Sequence, residues 1–333
     1  MIVSNSTWQP ALLLDGDPGF ALRIHNALSA VEKELACILA SNEQVMQQAI
    51  RFILSRPGKR LRPLVAILGA LACETRLSSR LVSAAAAVEA LHLASLLHDD
   101  VIDQAVFRSN EITTNASLGN MPAVLLGDFF FARSLRTASL QDRRLLDEFF
   151  EVSEILVQGE FGQSVQSGGL PTLACYFRWI KAKTARLFSL AAALGPSIDR
   201  HRRGYAKALS RYGMILGLCY QVRDDLHDLL LKSEEIGKPC MADCRNGYYT
   251  LPVILANARD PSIIKVLRET PTQDEDAWRA KITGALEATG SIAMTVRICQ
   301  QLSWQAERHL SILPENHARQ ALAGLARRVG STS

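Results

Sequence analysis

Three aspartates, Asp99, Asp100 and Asp103, close an otherwise apolar stretch, HLASLLHDDVID. On a helix, Asp99 and Asp103 are one turn apart and Asp100 lies three residues before Asp103, so all three share one side. Like charges gathered in an apolar setting are costly unless a cation sits among them. Carboxylate oxygens are the natural ligands of magnesium, which keeps several waters and bridges to phosphate groups. A lone cluster reads equally well as an acidic helix tip in solvent. The second cluster tips the balance. QVRDDLHD places Asp224, Asp225 and Asp228 at the same spacing, about 125 residues further on, again after an apolar segment, YGMILGLCYQV. If the two helices face each other, six carboxylates line one cavity mouth, with room for several magnesium ions and a diphosphate.

The elements that must position these residues are helical. DGDPGFALRIHNALSAVEKELACILAS opens with Asp17 as an N-cap and Pro18 at the first helical position, followed by apolar residues every three or four. The same pattern runs through 43–55, 61–73, 77–104, 113–137, 141–166, 172–195, 200–232 and 275–311. No alternating strand stands out. Segments 77–104 and 200–232 are apolar nearly all round and belong in the centre. No linker or repeat divides the chain, so the expectation is a single domain over 1–333, all-α, with 1–17 as a flexible N-terminal extension.

The bulk numbers exclude more than they assign. A charge of +4 is too weak a bias to argue for nucleic acid. Seven scattered cysteines suit a reduced, cytoplasmic protein. Cys240 and Cys244 have metal-like spacing but no second pair, which disfavours zinc. The longest apolar run, LVSAAAAVEALHLASLL, is interrupted by Glu89 and His92 and reads as a core helix rather than a transmembrane segment. The N-terminus lacks the basic region of a signal peptide.

With the two clusters stand GKRLRP (58–63), LHLASLLHDDVID (91–103), GDFFFAR (127–133), KTARLF (183–188), GKP (237–239) and TLP (250–252). In this order, over roughly residues 20–260, the chain resembles the trans-isoprenyl diphosphate synthases, or polyprenyl synthetases. The resemblance implies an isoprenoid-synthase-type helical bundle around a deep central cavity, assembled as a homodimer. It implies head-to-tail condensation of an allylic diphosphate with isopentenyl diphosphate, assisted by Mg2+, with three ions around the bound diphosphate. By the same resemblance Asp99, Asp103 and Asp224 are the main metal ligands, and Asp100, Asp225 and Asp228 are further ligands or their supports. Arg108, Lys183 and Lys238 match positions that bind the allylic diphosphate. Thr184 and Gln221 match positions that face the carbocation. Lys59, Arg62 and His92 match the isopentenyl diphosphate site. His98 and His227 are expected to pack or to support neighbours rather than to ligate.

Two places break the family pattern. The first aspartate motif is usually followed by two arginines and a glycine, and here Arg108 is followed by Ser109 and Asn110. The missing arginine belongs by position to the isopentenyl diphosphate site, where a lost charge-assisted contact weakens binding by about 1.5–3 kcal/mol. Tyr248 stands where the family commonly has lysine. Three readings stay open: a chain-elongating synthase, a terpene synthase-like lyase that ionises an allylic diphosphate alone, and a non-catalytic subunit of a heteromeric synthase. Retention of all six aspartates argues against the last. Ala94 and Ser95, one turn before Asp99, are small where short-chain members often carry an aromatic ring. They leave room for a tail to run toward Leu91, and one of Phe129, Phe130 and Phe131, with Phe130 chosen, is the candidate lower floor. The expected product is geranylgeranyl diphosphate or longer.

Overall fold

In the computed structural model, which describes residues 17–331 apart from 57, 167, 232–240 and 269–274, the first helix begins where its cap dictates. The Asp17 carboxylate accepts from the Gly19 and Phe20 amides, and Pro18 occupies the first turn of α1 (Pro18–Ile38). The described residues contain α2 (Gln44–Ser55), α3 (Leu61–Ala72), α4 (Ser79–Ile102), α5 (Thr114–Leu118), α6 (Asn120–Ser139), α7 (Arg143–Val165) and α8 (Leu173–Ile180). They continue with α9 (Arg186–Ile198), α10 (Ala206–Leu230), α11 (Ala242–Arg245), α12 (Leu251–Asn257), α13 (Ile263–Arg268), α14 (Glu275–Ala288), α15 (Ser291–Arg308) and α16 (His317–Gly330).

The all-α expectation holds, with four local differences. The segment expected at 113–137 is two helices, because Gly119 takes a left-handed φ of 93° between α5 and α6. The segment expected at 275–311 likewise divides at Gly290, with φ 68°, into α14 and α15. Between α8 and α9 the chain makes one wide π-helical turn, Lys181–Ala185. Finally, a strand pair that sequence reading missed, β1 (Phe107–Arg108) and β2 (Glu111–Ile112), forms a tight antiparallel hairpin just after the first aspartate cluster. Ser109 and Asn110 form its tip with φ of 53° and 65°. That is the left-handed pair that matches the natural strand twist of a two-residue hairpin. Of the expected N-terminal extension only Asp17 lies among the described residues, where it caps α1.

Helix α4 is central. It packs against α6, α1, α9 and α3, while α10 packs against α9, α15 and the π turn. Its small residues Ala84, Ala85, Ala86, Ala87 and Ala90 are fully buried and let neighbours approach closely. Although α4 is long and apolar enough to cross a membrane, most of it is covered by other helices. The C-terminal α15 and α16 join the same core through Cys299, Ala306, Leu322 and Leu325. This packing brings the C-terminal ends of α4 and α10 to a common region beside the π turn.

Candidate active site

Each aspartate cluster sits on the last turns of its helix. Asp103 caps α4, its amide donating to the Asp99 carbonyl, and no basic residue lies in that last turn. In α10 only His227 is basic there. A helix C-terminus already carries partial negative charge, so three carboxylates at that end are unfavourable without external cations. Asp99 and Asp100 are nevertheless 8% and 3% exposed.

The first cluster is answered by cations from other elements. Arg108 on the hairpin donates from Nε to Asp100 Oδ1 at 2.6 Å. Lys183 on the π turn places Nζ 2.9 Å from Glu160 Oε2 and 3.6 Å from Asp99 Oδ2. Gly159 makes this possible: a Cβ there would sit 2.4 Å from that of Ala182, so α7 can press against the π turn and deliver Glu160. Burial acts to lower the Lys183 pKa, but Asp99, Glu160 and Asp103 outweigh it and raise it. Burial pushes the Asp103 carboxyl up, Lys183 offsets part of this, and Asp99 and Asp243 add to it.

The second cluster is tied by neutral donors. Thr184 Oγ1 donates to Gln221 Oε1 at 2.7 Å, Gln221 Nε2 donates to Asp225 Oδ1 at 2.8 Å, and Tyr176 Oη donates to Asp225 Oδ2 at 2.6 Å. Burial and then the negative charge of Asp243 push the Asp225 carboxyl up to about 8, against the pull of the Tyr176 and Gln221 hydrogen bonds. Asp228 is also buried, with its carboxylate accepting from the Asp243 amide at 3.3 Å. Asp224 alone of the three is exposed. Lys183, Gln221, Asp225, Asp243, Tyr248 and Gln163 line an open cleft.

A basic group adjoins the first cluster. Arg62 is 8% exposed with its guanidinium 4.7 Å over the Phe188 ring. Glu89, one turn before His92, pairs with Arg60 at 3.2 Å. His92 is held neutral, first by burial and then by Arg62, Arg108 and Arg60. Lys59 is exposed and acts on His227, which burial, then Arg223, lowers to about 4. The expected contact at Lys238 and the partner Cys240 of Cys244 lie outside the described residues.

The small residues expected along the tail's path are where α4 is most buried. Ala94 and Leu91 are fully enclosed, and Ser95 Oγ donates to the His92 carbonyl at 2.8 Å. The three phenylalanines of α6 diverge as their spacing requires. Phe130 is fully buried, Phe129 lies under the Arg133 guanidinium, and Phe131 stacks on His98. His98 points to α6, with Nε2 3.2 Å from the Val124 carbonyl.

Magnesium fits this donor set. The groups are hard carboxylate oxygens with no cysteine among them, and one lysine answers several acids. Among the described residues no three such groups converge as a ready-made cage.

Sequence reading missed Glu160, Tyr176 and Asp243. Tyr176 lies two helical turns before Lys183, on the same face, which is the signal that could have found it. Glu160 is a single acid in an otherwise uncharged, glycine-flanked stretch, ILVQGEFGQSV.

The bundle is all-α, and the aspartate-bearing ends of α4 and α10 meet at the π turn, where Lys183 faces Asp99 and Thr184 is bonded to Gln221. A family model, polyprenyl synthetase, matches residues 43–288. The octaprenyl diphosphate synthase of Escherichia coli is 33% identical over 292 residues, covering 86% of this chain and 90% of its own. A polyprenyl synthase from Caulobacter crescentus, solved with calcium and isoprenyl diphosphate, superposes with a TM-score of 0.87 at 28% identity over 97% of each chain. A decaprenyl diphosphate synthase from Rhodobacter capsulatus gives 0.86 at 30% identity, covering 97% of this chain and 98% of that one. The chain belongs to the polyprenyl synthetase family.

Proposed function

We propose that this protein condenses an allylic diphosphate with isopentenyl diphosphate to give geranylgeranyl diphosphate or a longer polyprenyl diphosphate. The observation that carries the reading is the meeting of α4 and α10 at the π turn, where Lys183 faces Asp99 and Thr184 is bonded to Gln221, with Arg62 and Arg108 acting on His92 at the first cluster. Asp99, Asp103 and Asp224 would hold Mg2+. When bound, the metal supplies positive charge that stabilises the departing diphosphate. Lys183 and Arg108 add fixed positive charge on the same side, where negative charge develops on the leaving oxygens. The Thr184–Gln221–Asp225–Tyr176 chain of hydrogen bonds orients the Thr184 and Gln221 oxygens. Such oxygens can face an allylic cation without reacting with it. Arg62, Lys59 and His92 hold the acceptor's diphosphate at the basic side. The released diphosphate takes up the proton lost from the product.

The names of the relatives, octaprenyl and decaprenyl diphosphate synthases, and the small Ala94 and Ser95 support a long product. Ser95→Phe is expected to shorten it by closing the path beside α4, as read by sizing extracted products. The whole chain is taken as one cytoplasmic domain, a reading supported by the free thiols of the six described cysteines. A second copy is the proposed cover for an apolar face on α6 and α7. Met121, Leu125, Val157, Phe161 and Val165 are all more than half exposed at helical spacing. Light scattering should give a dimer, and Phe161→Glu should weaken it.

The test is incubation with magnesium, labelled isopentenyl diphosphate and each of the C5, C10, C15 and C20 allylic diphosphates. Elongated diphosphates support the proposal. Hydrocarbons or alcohols formed equally well without isopentenyl diphosphate would replace it with a lyase, the reading that Ser109 and Tyr248 keep open. Turnover only on adding a second protein would make the chain a subunit.

A further inference from the structure

Glu160 has no part in the proposed chemistry, yet two irregular features of the fold combine to place it. It sits on α7, 9% exposed, beside Gly159. A Cβ at Gly159 would lie 2.4 Å from that of Ala182 and 3.4 Å from the Lys183 amide nitrogen, so a side chain there would push α7 off the π turn. Lys183 is the middle residue of that turn. A glycine contact and a π turn therefore meet at one ion pair. Its acid is costly to keep. Burial pushes the Glu160 carboxyl up, Lys183 pulls it down, and Asp99 and Asp103 push it up again. An acid buried beside two others is unfavourable on its own account.

The ammonium is shared unequally. Lys183 Nζ stands 2.9 Å from Glu160 Oε2, at contact distance, and 3.6 Å from Asp99 Oδ2, beyond hydrogen-bond reach. Arg108 also acts on Asp99, but it is bonded to Asp100 at 2.6 Å. Among the described residues Lys183 is thus the only cation in ion-pair contact with Asp99. An ammonium drawn fully onto Asp99 would have to be displaced before a metal could take the same oxygens.

We propose that Glu160 holds the Lys183 ammonium off Asp99 and so keeps the Asp99 carboxylate open to a divalent cation. Glu160 is then a positioning residue that acts on the metal through Lys183 and not by ligation. This rests on Asp99 being a ligand of Mg2+ in the proposed function. Without the Glu160 charge, Asp99 is the next acid in reach of Nζ, and the metal competes with the ammonium for it.

The affinity of the full chain for inorganic diphosphate, measured by calorimetry over a series of magnesium concentrations, tests this without turnover. Glu160→Gln keeps the size of the side chain and removes its charge. It should need about tenfold more magnesium to reach half its maximal affinity, the scale of one hydrogen bond to a charged group. In a Lys183→Met background the same substitution should change the requirement by less than about twofold, because the ammonium it restrains is gone. An unchanged magnesium requirement in Glu160→Gln overturns the inference, and a lowered unfolding midpoint beside it would make the ion pair a purely structural one. A loss that persists in full in the Lys183→Met background also overturns it, since Glu160 would then act on the metal directly. A wild type that elongates while Glu160→Gln keeps its magnesium requirement refutes only this inference. The expected shifts in a protein that never elongates refute only the proposed function. Diphosphate binding by the wild type that ignores magnesium refutes both.

Discussion

The ends of α4 and α10 carry the same D-D-x-x-D spacing and are held in opposite ways. At α4 the middle aspartate, Asp100, is paired with the guanidinium of Arg108, and Asp99 faces Lys183. At α10 the middle aspartate, Asp225, is wrapped by Tyr176 and Gln221, two neutral donors, and its carboxyl is pushed up to about 8, chiefly by burial. The first end is partly offset by the protein's own cations, Arg108 and Lys183. The second is left in want of positive charge, with Asp224 exposed and Asp243 adding negative charge nearby. Identical spacing thus gives one arm that is pre-paired and one that depends on a cation arriving with its substrate. In the proposed function the outer positions, 99, 103 and 224, are the ones that would meet that cation.

The sharpest way to break this contrast is at those outer positions. Asp99→Ala and Asp224→Ala should each lower kcat/KM for elongation by roughly a thousandfold, the scale of losing a principal stabiliser of developing charge. A loss at only one of them would mean the two arms do not act on the same group. The middle positions should separate next. Asp100→Asn strands Arg108 and should lower stability by about 1–3 kcal/mol, read by denaturant unfolding. Asp225→Asn keeps an acceptor for Tyr176 and should lower it by less. Equal losses would show that the neutral wrapping of Asp225 matters to stability as much as the Arg108 pairing of Asp100. The smallest expected effect is that of Tyr176→Phe, which removes a donor from Asp225 while Gln221 still holds its other oxygen. A fall of up to about tenfold in kcat with KM for isopentenyl diphosphate unchanged would mark it as a positioning residue. A matching fall on Gln221→Leu, not compounded in the double variant, would show that the two act as one chain.

Much of this was legible in the chain because it follows from spacing. An i, i+1, i+4 set of aspartates after an apolar segment fixes which side of a helix they share, and Pro18 after Asp17 fixes where α1 starts. Helices α4 and α10 were visible for the same reason. What was not legible depends on contacts distant in sequence or on backbone states outside the two regular periods. Tyr176 meets Asp225 across 49 residues. Glu160 meets Lys183 only because Gly159 lets α7 close on a π turn whose extra residue follows no 3.6-residue pattern. The hairpin escaped because Ser109-Asn110 is a weaker turn signal than Asn-Gly and its strands are two residues long. The divisions at Gly119 and Gly290 escaped because the apolar spacing runs through both.

The central claim is that the two unlike arms hold one metal-bridged diphosphate between them. Calorimetric titration of inorganic diphosphate into the full chain, with and without magnesium, measures it most directly in the wild type, Asp99→Asn and Asp224→Asn. The account requires binding that depends on magnesium and is lost when either arm is neutralised. Diphosphate binding indifferent to magnesium, or surviving intact in either variant, would contradict it.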